Sequence, residues 1–239
     1  QYFLTHTNFI CLCYFATHTG HRTVYQHLAG FDKFIRFEKR HVAAYINRGT
    51  SYLYLKDTVR AYENFNLAVR TNRENPISYN RRGALFFEQK RYEEAEADFN
   101  RAIACDSTIP LSFFNRALVY NETSRPMQSL ADLDKVIQLD PTSSITYFNR
   151  AIIRSSIGDY NRALEDYNKV AQYSPNNVLL YYNRAILRTQ LGEIKQAVED
   201  YSRAIELYSD FEYGDADVSI DPEVELVDCK VEENAPISI

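Results

Sequence analysis

The chain has 239 residues, of which 45% are hydrophobic and 25% charged, and this composition excludes a chain that is disordered throughout. Only seven Gly and seven Pro occur, which favours helices over a many-turned β fold. No uncharged apolar run reaches the ~18 residues that a bilayer-spanning helix needs, so we expect no integral membrane protein. Four Cys are too few for a disulfide framework, which predicts a reducing compartment and a cytoplasmic protein. Because the sequence begins with Gln, we expect a fragment or a processed chain.

The net charge of −5 is divided unevenly among three segments. Residues 1–41 carry a charge of +3 and all five His, residues 42–211 are neutral, and residues 212–239 carry a charge of −8. A neutral central segment with interspersed signs is typical of a solvated protein surface. Nucleic acid is therefore not expected as the ligand.

Residues 1–41 have helical spacing only near their end. Phe31, Phe34, Ile35 and Phe37 predict a helix over 22–40, and Phe31 precedes Gly49 by eighteen residues. Two interpretations stay open, a degenerate helical hairpin or a single cap helix. A third is a zinc site, because thiolates and imidazoles at such short spacings can bind zinc. Its candidate ligands are Cys11, Cys13, His18 and His21.

Residues 42–211 are a repeat with a period of 34 residues and no insertion. Its small column is Gly49, Gly83, Ala117, Ala151 and Ala185. The residue before each is Arg48, Arg82, Arg116, Arg150 and Arg184. An aromatic residue stands four before each small residue, and further small and large apolar columns follow twelve, sixteen and nineteen residues after it. Helical spacing within each copy predicts two helices, with turns near 56–58, 90–91, 124–126, 158–159 and 192–193.

The period and the aromatic–small columns resemble the tetratricopeptide repeat family. The resemblance implies an all-α fold, a right-handed superhelical solenoid of tandem helix-turn-helix repeats. It divides the chain into five repeats, 42–75, 76–109, 110–143, 144–177 and 178–211, flanked by residues 1–41 and an acidic tail, 212–239. Members of the family are mostly scaffolds, without catalysis or cofactors, that bind peptides or proteins in a groove lined by the first helices.

The Arg column departs from the family, which usually has Leu at this position. Fifteen residues after each small residue stands an Asn or Asp, so both columns are about equally far from the turn and should lie level. We therefore predict ion pairs that join Arg116, Arg150 and Arg184 to Asp132, Asp166 and Asp200. The alternative is an Arg-lined phosphate or carboxylate site.

The residue two before the small column should face the groove. These residues are Asn47, Arg81, Asn115, Asn149 and Asn183, and in the second copy Asn80 stands one place earlier. An Asn amide can pair with the N–H and C=O of an extended peptide, so the column predicts a ladder of peptide-binding amides. A similar Asn ladder is known in a family of sugar-transferring enzymes. Phe114, Phe148 and Tyr182 would add apolar pockets. The alternative is that the Asn side chains only cap or bond neighbouring helices.

Some family members grip the acidic C-terminus of a chaperone with Lys, Asn and Arg side chains. Here the groove positions that would supply Lys contain none, so we do not expect a chaperone tail as partner. Those positions are Ile46, Asn80, Phe114, Phe148 and Tyr182, and Ala43, Ile77, Leu111, Ile145 and Leu179.

The acidic tail lacks an aromatic residue at 215 and contains Gly214 and Pro222, so the repeat does not continue. We predict that it is disordered or extended, with packing on the last hairpin or in the groove as the alternative. No nucleotide-binding loop, HExxH helix or nucleophile elbow occurs. The sequence thus predicts a non-enzymatic scaffold, without a cofactor, that binds a protein or extended peptide. The alternative is a substrate-recruiting part of a larger enzyme, or a zinc-binding segment fused to the array.

Overall fold

The computed structural model describes residues 21–213, together with the side chains of residues 24–209. Residues 21–213 contain eleven helices and no strand, which confirms the all-α repeat fold predicted from the sequence. The helices are α1 (His21–Phe37), α2 (Val42–Tyr54), α3 (Thr58–Thr71), α4 (Pro76–Glu88), α5 (Tyr92–Cys105), α6 (Pro110–Glu122), α7 (Pro126–Leu139), α8 (Ser144–Ser156), α9 (Tyr160–Tyr173), α10 (Val178–Gln190) and α11 (Ile194–Tyr213).

From α2 onwards, consecutive helices pair into hairpins whose turns lie where the sequence places them. The turns are 55–57, 89–91, 123–125, 157–159 and 191–193. Gly158 and Gly192 have positive φ angles of 82° and 78°, which glycine adopts at little cost. Lys56, Lys90 and Ser124 take the same left-handed conformation in the first three hairpins, with φ between 56° and 58°. A side chain makes this conformation unfavourable, so these three turns are strained relative to the glycine turns.

Local side-chain chemistry fixes where several helices begin. Asn75 precedes α4, and its side-chain oxygen accepts a hydrogen bond of 2.9 Å from the Ser78 backbone N–H. Pro76 is the first residue of α4, where its fixed φ suits a helix and its missing N–H is not needed. Pro110 begins α6 in the same way. These signals are local, which is why the sequence alone placed the helices well.

The columns of the repeat meet inside each hairpin. Phe65 and Phe99 on the second helices are at most 1% exposed. A Cβ atom on Gly83 would lie only 2.8 Å from Cε1 of Phe99, so the glycine allows the ring to reach the first helix. Close approach of α4 and α5 therefore depends on this pair of residues.

The chain divides into two compact units, which we describe separately. Unit 1 ends at Leu139, and its described helices are α1–α7. Unit 2 begins at Asp140, and its described helices are α8–α11.

Within unit 1, α1 takes the place of a second helix preceding α2. Arg48 on α2 donates from Nη1 to Asp32 on α1 at 2.7 Å. Arg82 on α4 makes the equivalent contact with Asn66 on α3 at 2.8 Å. Phe31 is 5% exposed, as expected if it matches the buried Phe65 one period later. A first helix for the same hairpin would fall within residues 1–20, outside the described part of the chain.

Candidate functional site

Four columns of the first helices form a candidate binding surface within each unit, which we call the first-helix surface of that unit. They lie six, three and two residues before the small column and one residue after it. In unit 1 the surface is built by α2, α4 and α6, and α4 contacts both other helices. Ile77 on α4 and Leu111 on α6 are the large exposed apolar side chains there, with 50% and 49% of their surface accessible. Phe114 is half-buried beside them, whereas Ile46 is buried.

In unit 2 the same columns lie on α8 and α10. Leu179 and Tyr182 are 41% and 45% exposed, and the Tyr182 ring packs edge-on against Tyr201 at 6.0 Å. Phe148, predicted to form a pocket, is only 4% exposed and packs edge-on against Tyr167 at 5.9 Å. Apolar surface in unit 2 is therefore contributed mainly by α10.

The first-helix surface has almost no charge. The four columns together contain one charged residue, Arg81, whose side chain is exposed. A surface of this kind gives no electrostatic attraction to a polyanion, and apolar contacts dominate what it can bind.

The predicted Asn ladder divides into different environments. Asn149 is 6% exposed and donates from Nδ2 to the Ile145 carbonyl at 2.9 Å. Asn183 is half-buried and donates to the Leu179 carbonyl at 2.8 Å. Each amide thus uses one N–H within its own helix, which leaves a second N–H and the carbonyl oxygen. Asn47 and Asn115 are half-buried at the same repeat position.

Asn80 is part of the unit 1 core rather than of its open surface. It is 4% exposed, and its Nδ2 donates to the Ser112 hydroxyl on α6 at 2.8 Å. Its Oδ1 is buried without a hydrogen-bond partner. Rotating the amide by 180° would exchange the two atoms and leave the nitrogen without that partner, so one polar atom is unsatisfied in either orientation. This residue links α4 to α6.

The Arg column is held by the Asp column, as the level arrangement of the helices implies. Arg82 and Asp98 form a two-pronged pair, with Nε and Nη2 each 2.8 Å from a carboxylate oxygen. Arg116 and Asp132 pair in the same way at 2.7 and 2.6 Å. These hydrogen bonds raise the pKa of Arg82 and Arg116 above the ordinary value. In the first hairpin, Asn64 replaces the acid and accepts from Arg48 Nε at 2.7 Å.

In unit 2 each Asp accepts from two Arg side chains, a feature that the sequence analysis did not detect. Asp166 pairs with Arg150 at 2.6 Å and with Arg154 at 2.8 Å. Asp200 pairs with Arg184 and Arg188 at the same distances. The signal was available in the sequence, since Arg154 and Arg188 follow the Arg column by four residues, one helical turn.

The same guanidinium groups also join neighbouring hairpins inside each unit. In unit 1, Arg116 Nη1 donates to Asn100 on α5 at 2.6 Å. In unit 2, Arg184 Nη1 donates to Asn168 on α9 at 3.0 Å. Because all these donors are engaged within the protein, the column acts as internal structure, and the geometry offers little to a phosphate ligand.

Two further candidates fall outside what the structure describes. Cys11, Cys13, His18 and the His21 side chain, proposed as zinc ligands, lie outside the described side chains, as do residues 214–239 of the tail. Within the described part of the chain, no group of three or more His, Cys, Asp or Glu side chains could hold a metal ion. None of the helices in residues 21–213 combines the length and apolar character of a bilayer span.

Comparison with known proteins gives consistent matches. One family model of the tetratricopeptide repeat matches residues 76–108 and 178–211, and another model of the same repeat matches residues 133–165. No curated protein sequence shows a significant match to the chain. Among solved structures, PilF of Pseudomonas aeruginosa is 20% identical with a TM-score of 0.72, covering 86% of this chain and 90% of its own. YrrB, described as a TPR protein with an unusual peptide-binding site, is 20% identical with a TM-score of 0.63, over 76% of this chain and 94% of that one. MamA is 15% identical with a TM-score of 0.65, over 69% and 96% respectively.

Proposed function

The chain contains tetratricopeptide repeats, and on this basis we propose that it is a scaffold that binds a partner polypeptide on its first-helix surface. The observation that carries the proposal is the row of exposed apolar side chains at repeated positions. Ile77, Leu111 and Leu179 occupy one column and are each 41–50% exposed. Apolar residues exposed at regular intervals on a nearly uncharged helix face are typical of an interaction surface.

The chemistry of the surface favours an apolar, extended partner segment. Branched aliphatic and aromatic side chains can receive alternate side chains of such a segment, and Asn amides can pair with its backbone. The described peptide-binding site of YrrB supports a polypeptide ligand. A chaperone C-terminal tail remains disfavoured, because the columns contain no Lys that would hold its carboxylates.

The proposal is of a non-catalytic protein without a cofactor, in a reducing compartment such as the cytoplasm. The low Cys content supports that compartment. A substrate-recruiting part of a larger enzyme would use the same surface in the same way. The zinc content of the purified full chain tests the zinc-binding alternative. One zinc ion per chain that is lost on Cys11→Ser substitution would support it.

The test uses random 12-residue peptides selected by display on the immobilised full chain. Their dissociation constants are then measured for the variant Asn115→Ala/Asn149→Ala/Asn183→Ala. A bound peptide that loses one to three hydrogen bonds to these amides, at about 0.5–1.5 kcal/mol each, should bind about twofold to a thousandfold more weakly, irrespective of its sequence. Gln128→Ala/Asn161→Ala on exposed parts of second helices is the control and should leave affinity unchanged. Unaltered affinity of the Asn variant, with its helix content intact, would exclude the ladder.

A further inference from the structure

The last helix of unit 2 exposes an apolar stripe, and in the first hairpin the repeat position of its Ile205 is covered. Ile194, Val198 and Ile205 on α11 are 57%, 58% and 69% exposed. They are spaced by four and seven residues and therefore lie on one face of the helix. At the repeat position of Ile205, Val69 on α3 is only 8% exposed because it packs with Tyr79 of α4.

What covers this face elsewhere is the next first helix. Each first helix, from α2 to α10, has 13 residues. Inside the units, connections of four residues lead to them, at 72–75, 106–109 and 174–177. The stripe on α11 therefore has the shape and spacing of a site for one more amphipathic helix of about this length.

We infer that residues 222–234 of this chain occupy the α11 stripe as a helical cap. Asp221 precedes the segment and Pro222 is its first residue, just as Asn75 precedes α4 and Pro76 is the first residue of that helix. From Pro222 to Asn234 it has 13 residues, the length of a first helix. It follows α11 directly in the chain, and the connection from Gly214 to Asp221 is long enough to reverse direction.

The residue pattern of the segment matches the face that it would cover. Val224, Val227 and Val231 have spacings of three and four residues and form one apolar stripe. Acids occupy half of the remaining positions: Glu223, Glu225, Asp228, Glu232 and Glu233. An apolar inner face and a polar outer face are what the end of a helical repeat array requires.

The charged residues beside the stripe do not select its occupant. Lys195, Glu199 and Glu206 are all exposed along one flank, so the apolar face of the segment carries the match. The segment lacks the Arg and aromatic residues of the repeat columns, so it is a cap and not a sixth repeat. Of the two possibilities that the sequence left open for the tail, packing on the last hairpin is the one that the exposed stripe favours.

The test measures hydrogen exchange of the full chain by mass spectrometry. The variant Val224→Ser/Val227→Ser/Val231→Ser should speed amide exchange in α11 by about tenfold or more, with exchange in α3 and α5 unchanged. Leu226→Ser/Cys229→Ser/Lys230→Ser alters the opposite face of the same segment and should leave exchange in α11 unchanged. Equal exchange in the wild type and the Val variant would overturn the proposal.

A second measurement identifies a different occupant. Light scattering of the wild type should give the mass of a monomer at micromolar concentration. A dimer that dissociates with Ile205→Asp, but not with the Val variant, would show that a second copy covers the stripe and would also overturn the proposal. Neither result bears on peptide binding to the first-helix surface, which is tested separately.

Discussion

Substitution of Gly83 by Ala tests how closely the two helices of a hairpin approach. The new Cβ would lie 2.8 Å from Cε1 of Phe99 and 3.1 Å from two further ring atoms. Favourable carbon–carbon contacts are about 3.5–4.0 Å, so either the ring or the helix must move. Phe99 is 1% exposed and is enclosed by Phe86, Ala95 and Val119, which leaves the ring little space.

Two effects of opposite sign determine the size of the change. Overpacking a core costs about 1–3 kcal/mol, whereas replacing a helical Gly by Ala contributes about 0.5–1 kcal/mol of stability. We therefore expect Gly83→Ala to lower the free energy of unfolding by about 0.5–2 kcal/mol. Gly30→Ala is the control, because a Cβ there meets no atom within 4 Å in the middle of α1, and it should raise stability.

The assay is urea denaturation of the full chain followed by circular dichroism at the helix band. The partner change is Phe99→Leu, since the third hairpin naturally combines Ala117 with Leu133. In the double variant, the two single-variant losses should not add, because the smaller side chain makes room for the Cβ. If Gly83→Ala stabilised the protein as much as Gly30→Ala does, the close-approach explanation of the small column would be wrong.

The remaining predictions concern the ion pairs, the turns, the Asn ladder and the cap. Asp132→Ala leaves the half-buried Arg116 without its acid and should lower the free energy of unfolding by about 3–5 kcal/mol, measured by chemical denaturation. The variant Arg116→Met/Asp132→Leu should recover most of that loss. Equal losses in the two variants would contradict the importance of the pairing. Lys90→Gly should raise the free energy of unfolding by about 0.5–1 kcal/mol, because φ is +58° there. The same change at Lys135, inside a helix, should lower it. A loss of stability at both positions would contradict strain in the turn. The Asn variant is expected to weaken binding of all selected peptides, measured as dissociation constants. Substitution of the tail valines is expected to speed exchange in α11 alone, measured by mass spectrometry.

The helices, their turns and the level arrangement of the Arg and Asp columns could be predicted from the amino-acid sequence. These features depend on spacing within one hairpin, where positions three and four apart share a face and a turn sets which residues lie opposite. Capping residues such as Asn75 act on their own helix, so they too can be recognised without the tertiary structure. The helical character of α1 followed from the same local spacing, through Phe31 and Phe34.

The contacts between neighbouring hairpins could not be predicted in this way and are known from the three-dimensional structure. The third contact of each Arg, for example from Arg82 to Asn66, joins helices of different hairpins. Burial of Asn80 likewise depends on packing between hairpins, since its partner Ser112 lies on α6, and a repeat column does not encode that packing. Ile205 on α11 is 69% exposed whereas Val69 at the same repeat position on α3 is buried, a difference that depends on which helix packs against each. Spacing along one helix is fixed by backbone geometry, whereas contacts between hairpins depend on side chains distant in sequence.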